Sequence, residues 1–235
     1  MFLAVLGHDL RSPLSGISMA ADLLSQGKLA EAARLQVGVR IRRARNVISY
    51  LTSDLLEYTR SRLGGGIPVR RVHCDLRELC EDAVDAVQGS YPDRQIELRT
   101  SGDLASHCDS HRIAQVLWNL LDNAVHHADP RRPVTLDVIG LPDSVQLRVT
   151  SFGQTIAPEL LPRIFEPMTR ALPINQAARP GSGLGLGLYI VREIVHAHGG
   201  TVSVTSTRDE GTVFTVELPK LLLVVCPAGR SPEGA

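Results

Sequence analysis

The chain has 235 residues, of which 43% are hydrophobic and 21% charged, a composition that predicts a packed core and excludes a disordered chain. Lysine plus arginine equals aspartate plus glutamate at 25 each, which argues against a general affinity for nucleic acid or acidic membranes. No apolar run approaches the roughly 20 residues needed to span a bilayer, and the opening MFLAVLG lacks the basic flank of a signal peptide. We therefore expect a cytoplasmic location, no nucleic-acid partner and no membrane contact from this stretch itself.

The four cysteines are far apart in the sequence. Cys74, Cys80, Cys108 and Cys226 form no CxxC pair and show no metal-ligand spacing. We interpret them as buried free thiols in a reducing compartment.

The first 60 residues predict two amphipathic helices. Apolar residues recur every three or four positions from Leu3 to Leu24, and again from Ile41 to Tyr58 with the alternation of a coiled-coil seam. Gln26-Gly27-Lys28 predicts the stop and turn between them. Such a hairpin has too little core to stand alone, and pairing with a second copy into a four-helix bundle would bury both stripes. The alternative is a hairpin packed on its own C-terminal domain.

Beyond Gly64-Gly65-Gly66, which is typical of a hinge, the pattern changes to a mixed α/β layer. Asp75 followed by Glu78 predicts a helix start whose buried side carries Leu76, Leu79, Ala83 and Val87. Strands are predicted at 95–99, 134–139, 145–150, 201–206 and 212–218, and helices at 110–127 and 184–198. The predicted organisation is a hairpin at 1–63, a hinge at 64–69, an α/β domain at 70–220 and a tail at 221–235.

The stretch GHDLRSPLSGI places a titratable pair on the first helix. The imidazole of His8 titrates near neutrality, and it can attack with one nitrogen while Asp9 orients and polarises the other. Pro13 lacks the amide hydrogen that would bond the carbonyl of Asp9, so we expect a bend one turn after His8. Taken alone, a His-Asp pair on a helix is more often simply solvated.

WNLLDNAVHHA at 118–128 puts Asn119 and Asn123 on one helical face. Their carboxamides offer an oxygen to a hard cation and an amide donor to a phosphate, although this spacing also occurs on ordinary surfaces. GSGLGLGLYIVREIVHAHGG at 181–200 alternates Gly183, Gly185 and Gly187 before an apolar helical run. Glycines let backbone amides approach phosphate oxygens, and a helix N-terminus adds a favourable dipole.

These motifs resemble the H-, N- and G2-boxes of bacterial two-component sensor histidine kinases, and IFEPMTR at 164–170 resembles their F-box. The resemblance implies an α + α/β fold: a dimeric four-helix bundle followed by a two-layer α/β sandwich of the Bergerat ATP-binding type. It also implies ATP-dependent autophosphorylation of His8 and transfer to an aspartate on a response regulator receiver domain, with ATP and Mg²⁺ as cofactors and a homodimer as the working form. Ser12 stands where relatives with phosphatase activity commonly carry Thr or Asn.

The same resemblance assigns individual roles. Asn123 is implied as the principal magnesium ligand, Asn119 as its partner, and His126 as the group that meets phosphate where Lys or Arg is common. The cradle for the nucleotide is implied at Gly183, Leu184, Gly185, Leu186, Gly187 and Leu188. Thr212 stands where the family commonly places a phosphate-facing hydroxyl. The segment from Thr169 to Ser182 is rich in Pro, Ala and Gly, a composition that suits a mobile lid over the nucleotide. Arg170 or Arg179 in this segment could neutralise phosphate charge or simply be solvated.

VTSFGQTI at 149–156 departs from the family pattern DxGxG, whose aspartate accepts a hydrogen bond from adenine. Ser151 stands at the aspartate position, Gly153 matches, and Thr155 replaces the second glycine. Losing a charge-assisted bond costs about 1–3 kcal/mol, so we expect weaker adenine selectivity but intact phosphate binding. Two alternatives remain: a degenerate dimeric docking or scaffold module, and an ATPase that uses the same pocket without phosphorylating histidine.

Overall fold

A computed structural model of the chain describes residues 2–25, 30–62, 66–169 and 185–220. An initial pair of long helices is followed by a mixed succession of strands and shorter helices. The helices are α1 (Phe2–Ser25), α2 (Glu31–Arg62), α3 (Leu76–Ser90), α4 (Ser110–His127) and α5 (Gly187–Ala197). The strands are β1 (Val72–Asp75), β2 (Ile96–Ser101), β3 (Ala105–Cys108), β4 (Val134–Gly140), β5 (Ser144–Ser151), β6 (Thr201–Thr207) and β7 (Gly211–Pro219).

Helices α1 and α2 pack against each other as the predicted helical pair. Small and branched residues are buried in this pair, namely Ala20, Val37 and Ala44. Large apolar side chains remain exposed on both helices: Leu14, Met19, Leu24, Leu35 and Leu56. The hairpin therefore leaves part of its apolar surface uncovered. Within the described ranges, no helix combines the length and the apolar character needed to cross a membrane.

The second part of the chain is a mixed five-stranded sheet with helices packed on it. The strand order is β2-β4-β5-β7-β6, and only β2 and β4 run parallel among these neighbours. Helix α4 contacts both α3 and α5 and lies against β4 and β5. The α + α/β class predicted from the sequence is confirmed.

Alternation along the strands builds the core between sheet and helices. Val145, Leu147 and Val149 of β5 are fully buried, while Arg148 between them is exposed. Helix α4 supplies the matching layer because its apolar residues recur with the helical period and are fully buried: Ile113, Val116, Leu117, Leu120 and Leu121. Helix α3 begins as predicted, since the carboxylate of Asp75 accepts a hydrogen bond from the Arg77 amide.

One local prediction was wrong, and two short strands were missed. Helix α5 begins at Gly187 and not at residue 184, because Gly185 adopts φ +66°, outside the right-handed helical region. Strands β1 and β3 were not predicted, since each has only four residues and no clean alternation. They pair antiparallel as a separate ribbon.

The interpretation of the cysteines as free thiols is wrong for one pair. Cys74 of β1 and Cys108 of β3 form a disulfide although they are 34 residues apart. The β1–β3 ribbon brings them together, since Val72 pairs with Cys108 and Cys74 with Ser106. Cys80 is free and fully buried, and burial raises its pKa to about 12, so this thiol stays protonated. Cys226 lies outside the described residues.

The HGG sequence after α5 contains a buried structural histidine. His198 Nδ1 lies 2.8 Å from the carbonyl oxygen of Ile194, and the backbone amide of Asp109 donates to His198 Nε2 at 3.0 Å. Asp109 is also the N-cap of α4, where its carboxylate accepts from the amide of Arg112. A neutral imidazole therefore ties the end of α5 to the start of α4. Burial lowers the pKa of His198 below its usual 6.5, which favours this neutral form.

Acidification is expected to destabilise the chain through His198. Because the folded-state pKa is lowered, the neutral ring stabilises the fold above the unfolded pKa of 6.5 and this contribution is lost as pH falls below it. We expect the variant His198→Gln to lose about 1–2 kcal/mol at pH 8 and to show a flatter pH dependence between pH 8 and 5. Urea unfolding across that range measures both quantities. His196→Gln removes an exposed histidine from the same helix and serves as the control; equal pH slopes in all three proteins would contradict the role of His198.

Candidate active site

The two predicted asparagines lie one turn apart on α4, where the helix meets the start of α5. Asn119 Nδ2 donates to the carbonyl oxygen of Gly187 at 3.3 Å. A Cβ at Gly187 would lie 3.5 Å from Asn119 Cγ, which is ordinary contact distance. The structure thus brings the carboxamide face of α4 to the glycine turn that precedes α5.

The described part of this turn needs glycine at Gly185. Its φ of +66° lies in the left-handed region, and a Cβ there would approach the carbonyl oxygen of Thr169 to 3.0 Å. The amide of Met168 donates to Gly185 O at 2.8 Å, so the F-box segment is tied to the turn. Leu186 is fully buried and Leu188 packs against the core, which anchors the N-terminus of α5. Gly183, Leu184, Arg170 and Arg179 lie outside the described residues.

The F-box segment also packs against strand β7 through an aromatic contact. The rings of Phe165 and Phe214 meet edge to face with centroids 6.3 Å apart. Met168, which replaces a second phenylalanine, is exposed and has φ 63°. Phe165 thus packs as expected, whereas Met168 contributes its backbone amide, which donates to Gly185 O.

Ser151 ends β5 in a buried position. It pairs in register with Thr212 of β7 and is 6% exposed. Thr212 Oγ1 lies 2.7 Å from Ser206 Oγ. The hydroxyl-bearing residue Thr212 therefore stands beside Ser151 at the end of β5, and the phosphate contact of Thr212 remains a prediction.

Gly153 has a structural reason to be glycine. A Cβ there would lie 2.1 Å from the carbonyl oxygen of His127, and the residue forms a β-bridge with Ala128. The amide of Asp129 donates to Phe152 O at 2.6 Å. These contacts fasten the loop to the C-terminal end of α4, and an adenine contact at Gly153 remains a prediction.

His126 contacts Asp122 of its own helix and Tyr91, which follows α3. Its Nδ1 lies 2.8 Å from the carbonyl oxygen of Asp122 and 3.3 Å from that residue's Oδ2. The hydroxyl of Tyr91 donates to Asp122 Oδ1 at 2.6 Å, and the rings of Tyr91 and His126 meet edge to face. Tyr91 was missed by the sequence analysis, because its contact with α4 depends on tertiary packing. The predicted phosphate contact of His126 remains a prediction.

The phosphoacceptor candidate lies in α1, which runs without a break through Pro13. The side chains of His8, Asp9 and Ser12 lie outside the described part of the structure. Their reach to the nucleotide site remains a prediction.

A polar contact between α2 and α4 was missed by the sequence analysis. Arg112 Nη1 donates to Glu57 Oε1 at 2.6 Å, and Gln115 Nε2 donates to Asp54 Oδ1 at 3.2 Å. Both carboxylates are buried, and burial raises the pKa of Asp54 to about 7. The only sequence signal was a pair of acidic residues beside the apolar positions Leu55 and Tyr58. A search for the periodicity of apolar residues alone does not detect these two acidic residues.

The donor set fits a magnesium nucleotide. Carboxamide oxygens suit a hard cation, and the Asn123 side chain makes no hydrogen bond to any residue in the described ranges. The N-terminus of α5, preceded by a turn that requires glycine, presents backbone amides for phosphate oxygens. Asn119, Asn123 and the Gly185–Gly187 turn would therefore hold the metal and the phosphates.

Two family models together match most of the chain. The model described as "His Kinase A (phospho-acceptor) domain" matches residues 1–64. The model described as "Histidine kinase-, DNA gyrase B-, and HSP90-like ATPase" matches residues 108–222. The two matches fall on the hairpin and on the part of the chain that contains α4, α5 and four of the five strands of the main sheet, β4 to β7.

Individual relatives agree with these matches. The bacteriophytochrome of Pseudomonas aeruginosa is 36% identical over 217 residues, which cover 92% of this chain and 29% of that protein. The sensor protein VanSC of Enterococcus gallinarum is 32% identical over 219 residues, covering 92% of this chain and 59% of that protein. The chain thus spans less than two thirds of the length of each of these relatives.

A solved structure extends the similarity to both parts of the fold. Full-length ShkA in complex with AMPPNP superposes with a TM-score of 0.62 and 29% identity, covering 92% of this chain and 45% of that one. The matched families, the relatives and this superposition point to one group of proteins. The chain belongs to the two-component sensor histidine kinases.

Proposed function

We propose that the chain is the kinase portion of a sensor: it autophosphorylates His8 from Mg²⁺–ATP and passes the phosphoryl group to an aspartate of a response regulator receiver domain. The single observation that carries the proposal is the contact between Asn119 and Gly187, which joins the carboxamide face of α4 to the glycine turn. The similarity to ShkA, solved with the ATP analogue AMPPNP, supports ATP as the nucleotide. A cytoplasmic location accords with this function, since ATP and receiver domains are found there.

The exposed apolar residues of the hairpin support a homodimer. Leu14 and Met19 of α1 and Leu35 and Leu56 of α2 are more than half exposed in the single chain. A second hairpin packed against them would form a four-helix bundle and remove this surface from water. The match to the phospho-acceptor domain family covers the same residues.

Nucleotide binding is assigned to the turn between the F-box and α5. The amides of Gly185 and Gly187 and the N-terminus of α5 would hold the phosphates, and the carboxamide oxygen of Asn123 would hold the metal. Magnesium supplies charge neutralisation on the triphosphate. The adenine lies near Ser151, whose buried hydroxyl offers one uncharged hydrogen bond in place of a carboxylate.

Phosphoryl transfer follows a change in domain position. The segment 64–69 acts as the hinge and brings the γ-phosphate in line with His8. One imidazole nitrogen of His8 bonds to the γ-phosphorus while the bond to the β-phosphate oxygen breaks and ADP leaves; Asp9 stabilises the proton on the other nitrogen. Positioning and charge neutralisation supply most of the rate. The P–N bond then breaks as the receiver carboxylate oxygen bonds to phosphorus.

Labelling with γ-labelled ATP and Mg²⁺ tests the reaction. We expect acid-labile, base-stable label on the wild type and none on His8→Gln. Asn123→Ala should reduce the labelling about 10- to 100-fold, which is the effect typical of perturbing a metal's surroundings. His107→Gln, which changes an exposed histidine on the β1–β3 ribbon, is the control and should label normally.

Label that persists on His8→Gln would contradict the assignment of the phosphoacceptor. Nucleotide binding without label would favour the scaffold module. Phosphate release without protein label would favour an ATPase.

Restoring a carboxylate at the adenine end tests the placement of that loop. Ser151→Asp should tighten adenosine nucleotides by about tenfold, because a charge-assisted hydrogen bond replaces a neutral one. Calorimetric titration with AMPPNP and with the guanine analogue measures the gain, and the guanine analogue, which lacks the adenine amino group, should gain nothing. An unchanged Kd for AMPPNP would show that Ser151 does not face adenine.

A further inference from the structure

Strands β1 and β3 form a two-stranded ribbon that is separate from the main sheet. Its disulfide joins Cys74 to Cys108, whose Cα atoms are 6.5 Å apart, within the range that a disulfide spans. Each cysteine stands directly before the N-cap of a helix, Asp75 for α3 and Asp109 for α4. The disulfide therefore fastens the starts of two helices to each other.

The two sulfur atoms differ in their access to solvent. Cys108 is 1% exposed, whereas Cys74 is half-buried. Val72 lies two residues before Cys74, hence on the same face of β1, and is 46% exposed. Because thiol–disulfide exchange requires contact between the reacting sulfurs, an external reagent meets Cys74 first. Cys108 is placed to react with Cys74 from inside the protein.

The ribbon also accommodates the reduced pair. Cys74 Sγ lies 3.6 Å from the carbonyl oxygen of Ser106, which can accept a hydrogen bond from the thiol once the disulfide is broken. A thiol is a weak donor, and an isolated two-stranded ribbon is only marginally stable. Reduction therefore weakens the attachment of β1 without requiring the helices or the main sheet to rearrange.

Strand β1 directly follows the linker from the hairpin. Ile67 is buried and Val69 packs against the core. The amide of Arg70 donates to the N-cap carboxylate of α4 at 2.9 Å, and Arg71 Nη2 donates to the last carbonyl of α5 at 2.9 Å. Of these ties and the disulfide, only the disulfide is covalent. It is the tie that a chemical change in the surroundings can break.

We propose that Cys74 and Cys108 are a reversible redox-modification site whose disulfide, formed by exchange with a small-molecule disulfide, sets the length of the hinge between the hairpin and the ATP-binding part. The inference rests on the proposed function, since disulfides in cytoplasmic proteins are usually transient and catalytic or redox-sensing. In the reduced form, release of β1 lengthens the proposed hinge from residues 64–69 to residues 64–75. Doubling a flexible tether that already exceeds its span lowers the effective concentration of the γ-phosphate at His8 roughly threefold. Oxidation thus raises autophosphorylation.

The exchange takes place in two steps. The Cys74 thiolate attacks one sulfur of the small-molecule disulfide, forms a mixed disulfide and releases the first small thiol. The Cys108 thiolate then attacks Cys74 Sγ, closes the internal disulfide and releases the second small thiol. The two protein thiols lose two electrons in total, and the small-molecule disulfide gains them. The two protons of the protein thiols end on the two small thiols.

Incubation of the whole chain in buffers of oxidised and reduced glutathione tests the site. Peptide mass spectrometry should show Cys74 and Cys108 converting together between dithiol and disulfide, while the buried Cys80 stays unmodified. Cys108→Ser should accumulate glutathione on Cys74, whereas Cys74→Ser should accumulate none on Cys108 in the same time, because that sulfur is buried. Thermal unfolding confirms that each variant is folded. A pair that never changes state across the buffers, or glutathione that attaches first to Cys108, would overturn the redox site.

Labelling with γ-labelled ATP and Mg²⁺ tests the effect on the hinge. The oxidised wild type should label about threefold faster than the reduced one. Its Kd for AMPPNP should not change, because the ribbon joins α4 at its start, away from Asn119 and Asn123. Cys74→Ser should label at the reduced rate in both buffers, and the control Cys80→Ala should respond to the buffers as the wild type does.

Equal labelling rates in the two states of an active kinase would overturn the role of the disulfide in the hinge. A chain that neither labels nor binds AMPPNP in either state would contradict the proposed function. The glutathione exchange at Cys74 would still decide, in that chain, whether the pair is a redox site.

Discussion

Burial of helix α4 is the constraint on which the site depends. Leu117, Leu120 and Leu121 are fully buried between the sheet and the neighbouring helices. Substitution of any one of them by Ala would lower the free energy of unfolding by about 2–5 kcal/mol. This packing fixes the rotation of the helix about its axis. Asn119 on the polar face of the helix consequently meets the start of α5, and its carboxamide needs no loop of its own to hold it.

The glycines of the site act in different ways. Gly185 supplies a left-handed backbone conformation that other residues rarely adopt. Gly153 instead permits the loop to approach the carbonyl of His127, and a side chain of any size would clash there. Only the first shapes the turn to which we assign the phosphates in the proposed function. The second secures the loop that follows Ser151 through backbone contacts with the end of α4, and these contacts do not depend on the side chain at position 151.

Periodicity and motif spacing predicted the long elements because each buries one continuous face. Helix α4 was predicted with both ends correct, and the five strands of the main sheet were predicted within one or two residues. The β1–β3 ribbon and its disulfide were missed, since four-residue strands carry too little pattern and the Cys74–Cys108 pairing depends on tertiary structure. Asp54 and Glu57 were missed for a related reason: their partners Gln115 and Arg112 lie about 60 residues away, at separations of 61 and 55. Sequence patterns report the face that an element buries, but not which polar groups meet across two elements.

The proposed kinase requires one nucleotide site formed by α4 and α5, and a structure of the chain bound to Mg²⁺–AMPPNP tests this most directly. The account predicts the phosphates at the amides of Gly185 and Gly187, the metal on the carboxamide oxygen of Asn123, and the adenine beside Ser151. A nucleotide bound elsewhere, or a metal held without Asn123, would contradict it.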